Sequence, residues 1–219
     1  MSTSETNQRL RITEIFYSLQ GESRTVGLPT VFIRLTGCPL RCHYCDTSYA
    51  FQGGHWMSLA EILADVASYK PRYITVTGGE PLAQKDCIPL LAQLCDAGYE
   101  VSLETSGALD VSSVDARVVK VVDLKTPKSG EQSKNRLENI EHLNRHDQVK
   151  FVMADRDDYD WSVAMMKAHQ LDERCEVLFS PVHKTLPPQQ LAEWVLADRL
   201  NVRMQIQIHK YLWGDEPGH

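Results

Sequence analysis

No apolar run in this chain is long enough to cross a bilayer. Residues 1–11 are polar and lack the hydrophobic stretch of a secretory signal, so the expected address is the cytoplasm and no membrane partner is expected. Basic residues are in deficit: 23 Lys and Arg stand against 29 Asp and Glu, a formal net charge of −6. A general nucleic-acid binder needs a basic footprint that displaces counterions, so that class is excluded. A small anionic substrate held by one or two local cations is not. Internal repeats and low-complexity tracts are absent. A disulfide framework is excluded as well, because the six cysteines belong to a chain expected in a reducing compartment; three of them crowd into eight positions, which points to metal or catalysis. What remains is 219 residues, 42% of them hydrophobic, enough to bury one core. A single domain over residues 1–219 is expected.

Short apolar runs alternate with helical patterns. Residues 31–35, 73–77, 100–104, 118–123, 149–153, 176–179 and 203–208 are rich in Val, Ile and aromatics, stop at turn formers, and are predicted strands. Residues 11–20 predict an extra strand ahead of them. Helices are predicted from Ser58, which forms a capping box with Glu61; from about Asp86 to a stop at Gly98; over 158–169; and from Pro187-Pro188. This α/β alternation implies a parallel sheet with right-handed crossovers. Six or seven units fall short of a closed eightfold barrel, so an open barrel and a doubly wound sheet both fit. In either, ligands collect beyond the carboxyl ends of strands. Thr77-Gly78-Gly79-Glu80-Pro81, Glu104-Thr105-Ser106-Gly107, Asp123-Leu124-Lys125-Thr126-Pro127, Ser180-Pro181 and His209-Lys210 all fall there.

Residues 36–56 show neither period and carry Cys38-Pro39-Leu40-Arg41-Cys42-His43-Tyr44-Cys45, a C-x3-C-x2-C motif. Long aperiodic loops in compact domains are usually functional. Thiolates are soft ligands that select zinc or iron–sulfur clusters, and a cluster normally takes four of them. No fourth cysteine is near. Cys87 and Cys95 fall on a predicted helix and Cys175 opens a late strand, where small buried hydrophobes suffice as an explanation. Three ligands leave one iron open to a small molecule, the logic of an open catalytic metal site. The competing reading is a structural zinc completed by His43 or His55.

Joined to Tyr44 and to the strand end Gly78-Gly79-Glu80-Pro81, this motif resembles the radical S-adenosylmethionine superfamily. Ser18-Leu19-Gln20-Gly21-Glu22 ahead of the cluster, Arg34 in Phe32-Ile33-Arg34-Leu35, Asp46-Thr47 directly after Cys45, the Glu104 strand end, and Gln207-Ile208-His209-Lys210-Tyr211 narrow it. Over essentially its whole length the chain is similar to the 7-carboxy-7-deazaguanine synthase family. The resemblance implies a partial, open parallel β/α barrel of about six units, with an N-terminal extra strand and a cluster-binding loop over about residues 37–56, in a homodimer. It implies a carbon–nitrogen lyase of queuosine-precursor (7-deazapurine) biosynthesis. That enzyme contracts 6-carboxy-5,6,7,8-tetrahydropterin to 7-carboxy-7-deazaguanine with loss of ammonia and regenerates S-adenosylmethionine. The cofactors implied are a [4Fe–4S] cluster on Cys38, Cys42 and Cys45, S-adenosylmethionine, and Mg2+ at Thr47 with Asp46 in support. An external one-electron reductant of flavodoxin or ferredoxin type is also implied. Leu19, Gln20, Gly21, Glu22, Arg34, Thr77 and His209 match positions around the pterin. Tyr44, Gly78, Gly79, Glu80, Glu104, Thr126, Pro127, Lys128, Ser180, Pro181, Val182 and His183 match positions around S-adenosylmethionine. Members of the family end a few residues after His-Lys and close the pocket with the last residue; here residues 212–219 run on.

Plainer readings stand beside these. Arg34 in an apolar strand is a structural ion-pair partner, His209 a surface histidine, Gln20 and Glu22 the trim of a turn at Gly21, and Thr47 a local cap. The acids of 155–160 are a solvated helix start. Lys125, Lys128 and Lys134 either sit on a flexible loop or bring charge toward the carboxylate of S-adenosylmethionine. Trp56, Trp161 and Trp194 are packing residues. Two rival functions also fit the cysteine motif: a glycyl-radical-enzyme activase, which needs neither Thr47 nor the Gln20–Glu22 pair, and a zinc or electron-transfer module, which has no use for the Gly78-Gly79 strand end.

Overall fold

The structure, a computed structural model, describes residues 8–214, 216 and 218. Its strands are β1 (Arg9–Leu19), β2 (Pro29–Leu35), β3 (His55–Ser58), β4 (Tyr73–Gly78), β5 (Glu100–Thr105), β6 (Val119–Asp123), β7 (Gln148–Met153), β8 (Glu176–Pro181) and β9 (Arg203–Met204). They form one sheet in the order β3-β1-β2-β4-β5-β6-β7-β8-β9. From β2 through β9 each neighbouring pair is parallel, while β1 runs antiparallel to β2 and to β3. β3 and β9 are the two edges, so the sheet is open: a partial barrel of six full parallel strands with an N-terminal addition, as the family resemblance implied.

The strands bury both faces, but with different chemistry. On the outer face Val31, Ile33, Ile74, Val76, Val101 and Leu103 form one apolar cluster with α1 (Leu59–Ser68) and α2 (Cys87–Asp96). Val149, Phe151, Val177 and Phe179 form a second with α3 (Arg156–Ala168) and α5 (Pro188–Asp198). Since strand side chains alternate, Thr75, Thr77, Glu104, Asp123 and Lys150 point the other way, into the barrel. A register shift between Ile12 and Glu14 does the same for β1. Leu10 and Ile12 face the outer core before it and Ile15 after it, so the extra residue turns Glu14 and Phe16 inward.

Helix starts follow the sequence. Ser58 Oγ accepts from Glu61 N at 3.2 Å and Glu61 Oε2 accepts from Ser58 N at 2.7 Å, the reciprocal capping box. Asp155 caps α3, accepting from Asp158 N at 3.1 Å. Asp158 departs from the reading of this run as a solvated face. It is fully buried, and its carboxylate accepts from Lys128 N and Ala154 N at 2.9 Å each, which ties a loop to the helix start.

Three further expectations are corrected. Residues 203–208 are not one strand: β9 has two residues, and α6 (Ile208–Trp213) begins where the strand was to end. The end of the aperiodic stretch is ordered, because 55–58 pairs with residues 9–12 of β1 as β3. Trp56 is 56% exposed and therefore not a packing residue, whereas Trp161 and Trp194 do pack against the second core. The β5–β6 and β6–β7 crossovers carry no α-helix, the latter only 3-10 turns, and α4 (Leu171–Arg174) is a short turn of helix before β8. Among the described residues no helix is long and apolar enough to cross a membrane.

Two segments close the barrel. The loop after β1 runs across the amino ends of the parallel strands. Ser23 N donates to Gln205 Oε1 at 2.9 Å, Arg24 N to Gln148 Oε1 at 3.2 Å, and Arg24 Nε pairs with Glu176 at 3.4 Å. The start of α6 docks on the same loop, Ile208 N donating to Gly21 O at 3.1 Å.

Candidate active site

A cavity of about 610 Å³ runs through the barrel, lined by Cys38, Cys42 and Cys45 at one end and by Gln20, Gly21 and Glu22 at the other. Its upper rim is the cysteine loop, which follows β2. The loop is set by the segment after β6. Arg41 N donates to Glu131 Oε1 at 2.6 Å, and His43 N to Ser129 O at 3.0 Å. Tyr44 OH donates to Val152 O at 3.0 Å and meets Thr126 Oγ1 at 3.2 Å. Arg41 Nη1 donates to Cys38 O and Leu40 O and its guanidinium lies 4.3 Å from the Phe51 ring centroid. On its inner side the loop rests on the end of β4 so tightly that a β-carbon on Gly79 would stand 2.2 Å from Gly37 O and 2.8 Å from Cys38 Cβ. The three cysteines are free and partly exposed. Burial pushes the Cys38 thiol up and the Cys42 thiol to about 11, with Lys125 pulling against it. Metal loading must displace those protons.

The donor set suits an iron–sulfur cluster: three thiols from one loop, open to one cavity. It suits zinc poorly, since neither histidine that could complete a zinc site is turned to the cysteines. His43 is turned to Lys128 O, 3.2 Å from Nδ1, and its ring lies over Gly130. His55 is exposed on β3.

Below the loop the lumen is lined by a connected polar network. Gln20 Nε2 donates to Thr75 Oγ1 at 3.0 Å and Glu104 Oε1 at 3.3 Å, and Thr77 Oγ1 donates to Glu104 Oε2 at 2.9 Å. Lys150 Nζ pairs with Glu22 Oε2 at 2.6 Å and Asp123 Oδ2 at 3.6 Å, and Lys125 Nζ with the same Asp123 oxygen at 3.0 Å. Asp123 Oδ1 is buried without a partner among the described residues. Gln207 Nε2 donates to Glu22 Oε1 at 2.7 Å and Asp46 Oδ2 at 3.1 Å. Burial, with the charge of Glu22, pushes the Glu104 carboxyl up against the pull of Lys150, Thr77 and Arg34. For Asp46 enclosure raises, but the Gln207 hydrogen bond and the Lys210 and Lys150 charges more than offset it and hold the carboxyl low. Burial lowers the His209 imidazole, and the nearby Glu22 and Asp46 only partly reverse this.

Arg34 fulfils its plain reading and keeps room for the other. Its Nε donates to Glu14 Oε1 at 2.7 Å across the β1–β2 pair. Its guanidinium lies 5.6 Å from the Phe16 centroid and 5.8 Å from that of Tyr49. It lines the cavity, and its Nη groups have no hydrogen-bond partner among the described residues. Thr47 Oγ1 is held 3.3 Å from Asp46 Oδ1 beside the cysteines.

The structure therefore brings Leu19, Gln20, Gly21, Glu22, Arg34, Thr77, His209, Tyr44, Thr47, Gly78, Gly79, Glu104, Val182, His183 and the three cysteines to one cavity. Glu104 sits with Gln20 and Thr77, on the side expected for the pterin. Six expected cofactor positions do not line it. The Glu80 carboxylate is fully buried, accepting from Thr105 Oγ1 at 2.9 Å, from Ser106 N at 2.8 Å and from the Ser106 hydroxyl. Thr126 is buried and donates to Val152 O at 2.9 Å. Lys128 faces outward to Asp155 at 3.0 Å and Asp157 at 3.2 Å. Pro127, Ser180 and Pro181 are also absent from the cavity wall. Sequence reasoning missed Lys150, Glu14 and the bridging role of Gln207. Alternation in residues 148–153 was the available signal, since Lys150 shares a face with Gln148 and not with Val149, Phe151 and Met153. Residues 212–219 fall partly outside the described residues; of those described, Gly214, Glu216 and Gly218 line the cavity.

A model of the radical SAM superfamily matches residues 32–195. The chain belongs to that superfamily. It is 43% identical to a 7-carboxy-7-deazaguanine synthase of Koribacter versatilis, over 94% of this chain and 98% of that protein. It is 44% identical to one of Chlorobaculum tepidum, over 96% and 97%. Within the superfamily the chain thus belongs to the 7-carboxy-7-deazaguanine synthase family. The crystal structure of QueE from Escherichia coli shares the fold, with a TM-score of 0.77, 24% identity, and coverage of 93% of this chain and 96% of that one.

Proposed function

We propose that this single-domain chain contracts the ring of 6-carboxy-5,6,7,8-tetrahydropterin to 7-carboxy-7-deazaguanine with release of ammonia, as a queuosine-precursor lyase. The observation that carries this reading is the cavity itself. One end bears three free thiols on one loop, and the other bears hydrogen-bonding groups suited to a flat, polar heterocycle.

Cys38, Cys42 and Cys45 would hold the [4Fe–4S] cluster, and the Gly78-Gly79 strand end with Tyr44, Val182 and His183 would hold S-adenosylmethionine. Bound there, the pair would supply radical chemistry on receipt of one electron. This chain's own groups do the rest. Arg34 offers its Nη groups to the substrate carboxylate, bidentate recognition that a point charge cannot match. Thr47, backed by Asp46, would present hard oxygen to Mg2+, a cation that favours oxygen ligands. Gln20, Glu22, Thr77 and Glu104 read the edge of the pterin ring, and His209 closes it from α6. A one-electron reductant of flavodoxin or ferredoxin type, a homodimeric state and a cytoplasmic location complete the proposal. The activase reading has no use for the polar lumen, because a protein backbone offers no heterocycle edge to read.

The test is an anaerobic incubation with the pterin, S-adenosylmethionine, Mg2+ and dithionite. Formation of the deazaguanine acid, followed by its ultraviolet absorbance and without any partner protein, is the expected result. Cleavage of S-adenosylmethionine with no conversion of the pterin overturns the proposal.

A further inference from the structure

Lys150 is a lysine in the middle of a barrel strand, its side chain only 12% exposed. The buried position is costly for an ammonium unless it is paired, and three other segments supply the pairing. Glu22 lies 2.6 Å away on the loop after β1, and Asp123 lies 3.6 Å away at the end of β6. Glu104 on β5 adds its charge. The Glu22 carboxylate is clamped from both sides: Oε2 accepts from Lys150 and Oε1 accepts from Gln207 at 2.7 Å. An ionised carboxylate offers about four lone-pair sites. One acceptor site on each oxygen is therefore left, and Glu22 lines the cavity.

We propose that Lys150 is a positioning residue for the substrate, holding Glu22 ion-paired and aimed so that its remaining lone pairs accept only an edge of two adjacent N–H donors. The ring amide and 2-amino group of a 2-amino-4-oxopyrimidine present that edge. A 2-oxo ring does not, because its carbonyl places a second acceptor against the carboxylate. Lys150 thereby sets specificity at the ring edge without touching the reacting carbon. The inference rests on the pterin reading above and goes beyond it by naming which edge is read and what enforces the reading. Without the ammonium, the Glu22 carboxylate keeps only the Gln207 clamp and can turn, so its lone pairs are no longer aimed at one edge. A carboxylate free to turn away from the ring edge tolerates the 2-oxo ring.

The experiment compares wild type, Lys150→Met and Lys150→Arg, each with cluster reconstituted anaerobically. Steady-state kinetics are measured on the pterin and on its 2-oxo analogue, and pterin binding by equilibrium dialysis. In Lys150→Met, KM and the dissociation constant for the pterin are expected to rise about tenfold or more, with kcat changed by less than about threefold. The preference for the 2-amino over the 2-oxo ring is expected to shrink by about tenfold, and Lys150→Arg to restore most of both. Unchanged KM and preference in Lys150→Met overturn the inference, as does a loss of kcat with KM and preference intact. If Lys150→Met does not fold, Glu22→Gln serves: its amide donor is expected to shrink the preference, and an unchanged preference overturns the proposal. Failure of wild type to convert the pterin at all strikes the parent reading instead, which keeps the two separable.

Discussion

Gly21 and His209 occupy adjoining space: a β-carbon on Gly21 would stand 2.0 Å from His209 Nδ1 and 2.9 Å from its Cγ. The glycine is thus required by a close approach between two ends of the chain. Together with the Ile208 N–Gly21 O bond at 3.1 Å, it seats α6 against the loop that carries Gln20 and Glu22.

Gly21→Ala is therefore expected to push His209 and the start of α6 away while leaving the barrel intact. Activity on the pterin should fall by about tenfold or more, mostly through KM, because positioning at the pocket is lost. Circular dichroism should be unchanged, since the outer core is untouched. Wild-type kinetics in this variant would show that the contact does not matter.

Gly79→Ala places a β-carbon 2.2 Å from Gly37 O, a backbone atom that cannot swing aside. The cysteine loop must lift off the end of β4. Overpacking of this sort costs about 1–3 kcal/mol, and the expected readout is a low iron and sulfide content after reconstitution. A full cluster complement in Gly79→Ala would show the loop to be more adaptable than its contacts suggest.

Glu104 carries a pH signature. Burial raises its carboxyl in the folded chain, with Glu22 adding to this and Lys150 opposing it. A raised folded value means full stability below about pH 4.3, where the unfolded carboxyl is also protonated. That stability is lost as pH rises through the folded value. Glu104→Gln has no proton to lose, so its melting temperature should gain on wild type at pH 8 and show little gain at pH 4. Calorimetry at the two pH values decides. Catalysis should fall all the same, because Gln20 and Thr77 donate to different oxygens of Glu104 and an amide leaves only one of them an acceptor.

Arg34→Lys keeps a charge but gives up the planar fork. One ammonium cannot hold Glu14 at 2.7 Å and also grip a carboxylate with two parallel bonds. KM for the pterin is expected to rise about tenfold, and removal of the substrate carboxyl should cost wild type far more than Arg34→Lys. Equal losses in both enzymes would place the carboxylate elsewhere.

Much of this could be read in the chain. The apolar runs that became β2 and β4–β8 are legible because their outer faces are Val, Ile, Leu and Phe packed under helices. The cysteine loop is legible because thiols at that spacing have few other uses. Residues 203–208 misled for a physical reason. Gln205 is drawn away to bond Ser23 at 2.9 Å, and Gln207 to bond Glu22 and Asp46, so the apolar alternation there never becomes a ladder. Lys128 misled because its neighbours Asp155 and Asp157, which claim it, are far along the chain. The inward turn of Glu14 depends on a one-residue irregularity in β1 that composition does not mark. Lys150 stayed hidden because a lysine in a strand ordinarily faces water, and only the closed lumen makes it unusual.

The site's two halves are made at different times. Cys45 and Gln207 lie 207 − 45 = 162 residues apart. At a synthesis rate of about 5–20 residues per second, the cysteine loop emerges roughly 8 to 30 seconds before the clamp on Glu22. The clamp on Glu22 can form only after the segments that frame the cysteine loop, Ser129, Glu131 and Val152 among them, have been synthesised, so the lower chamber is the last part of the site to be completed.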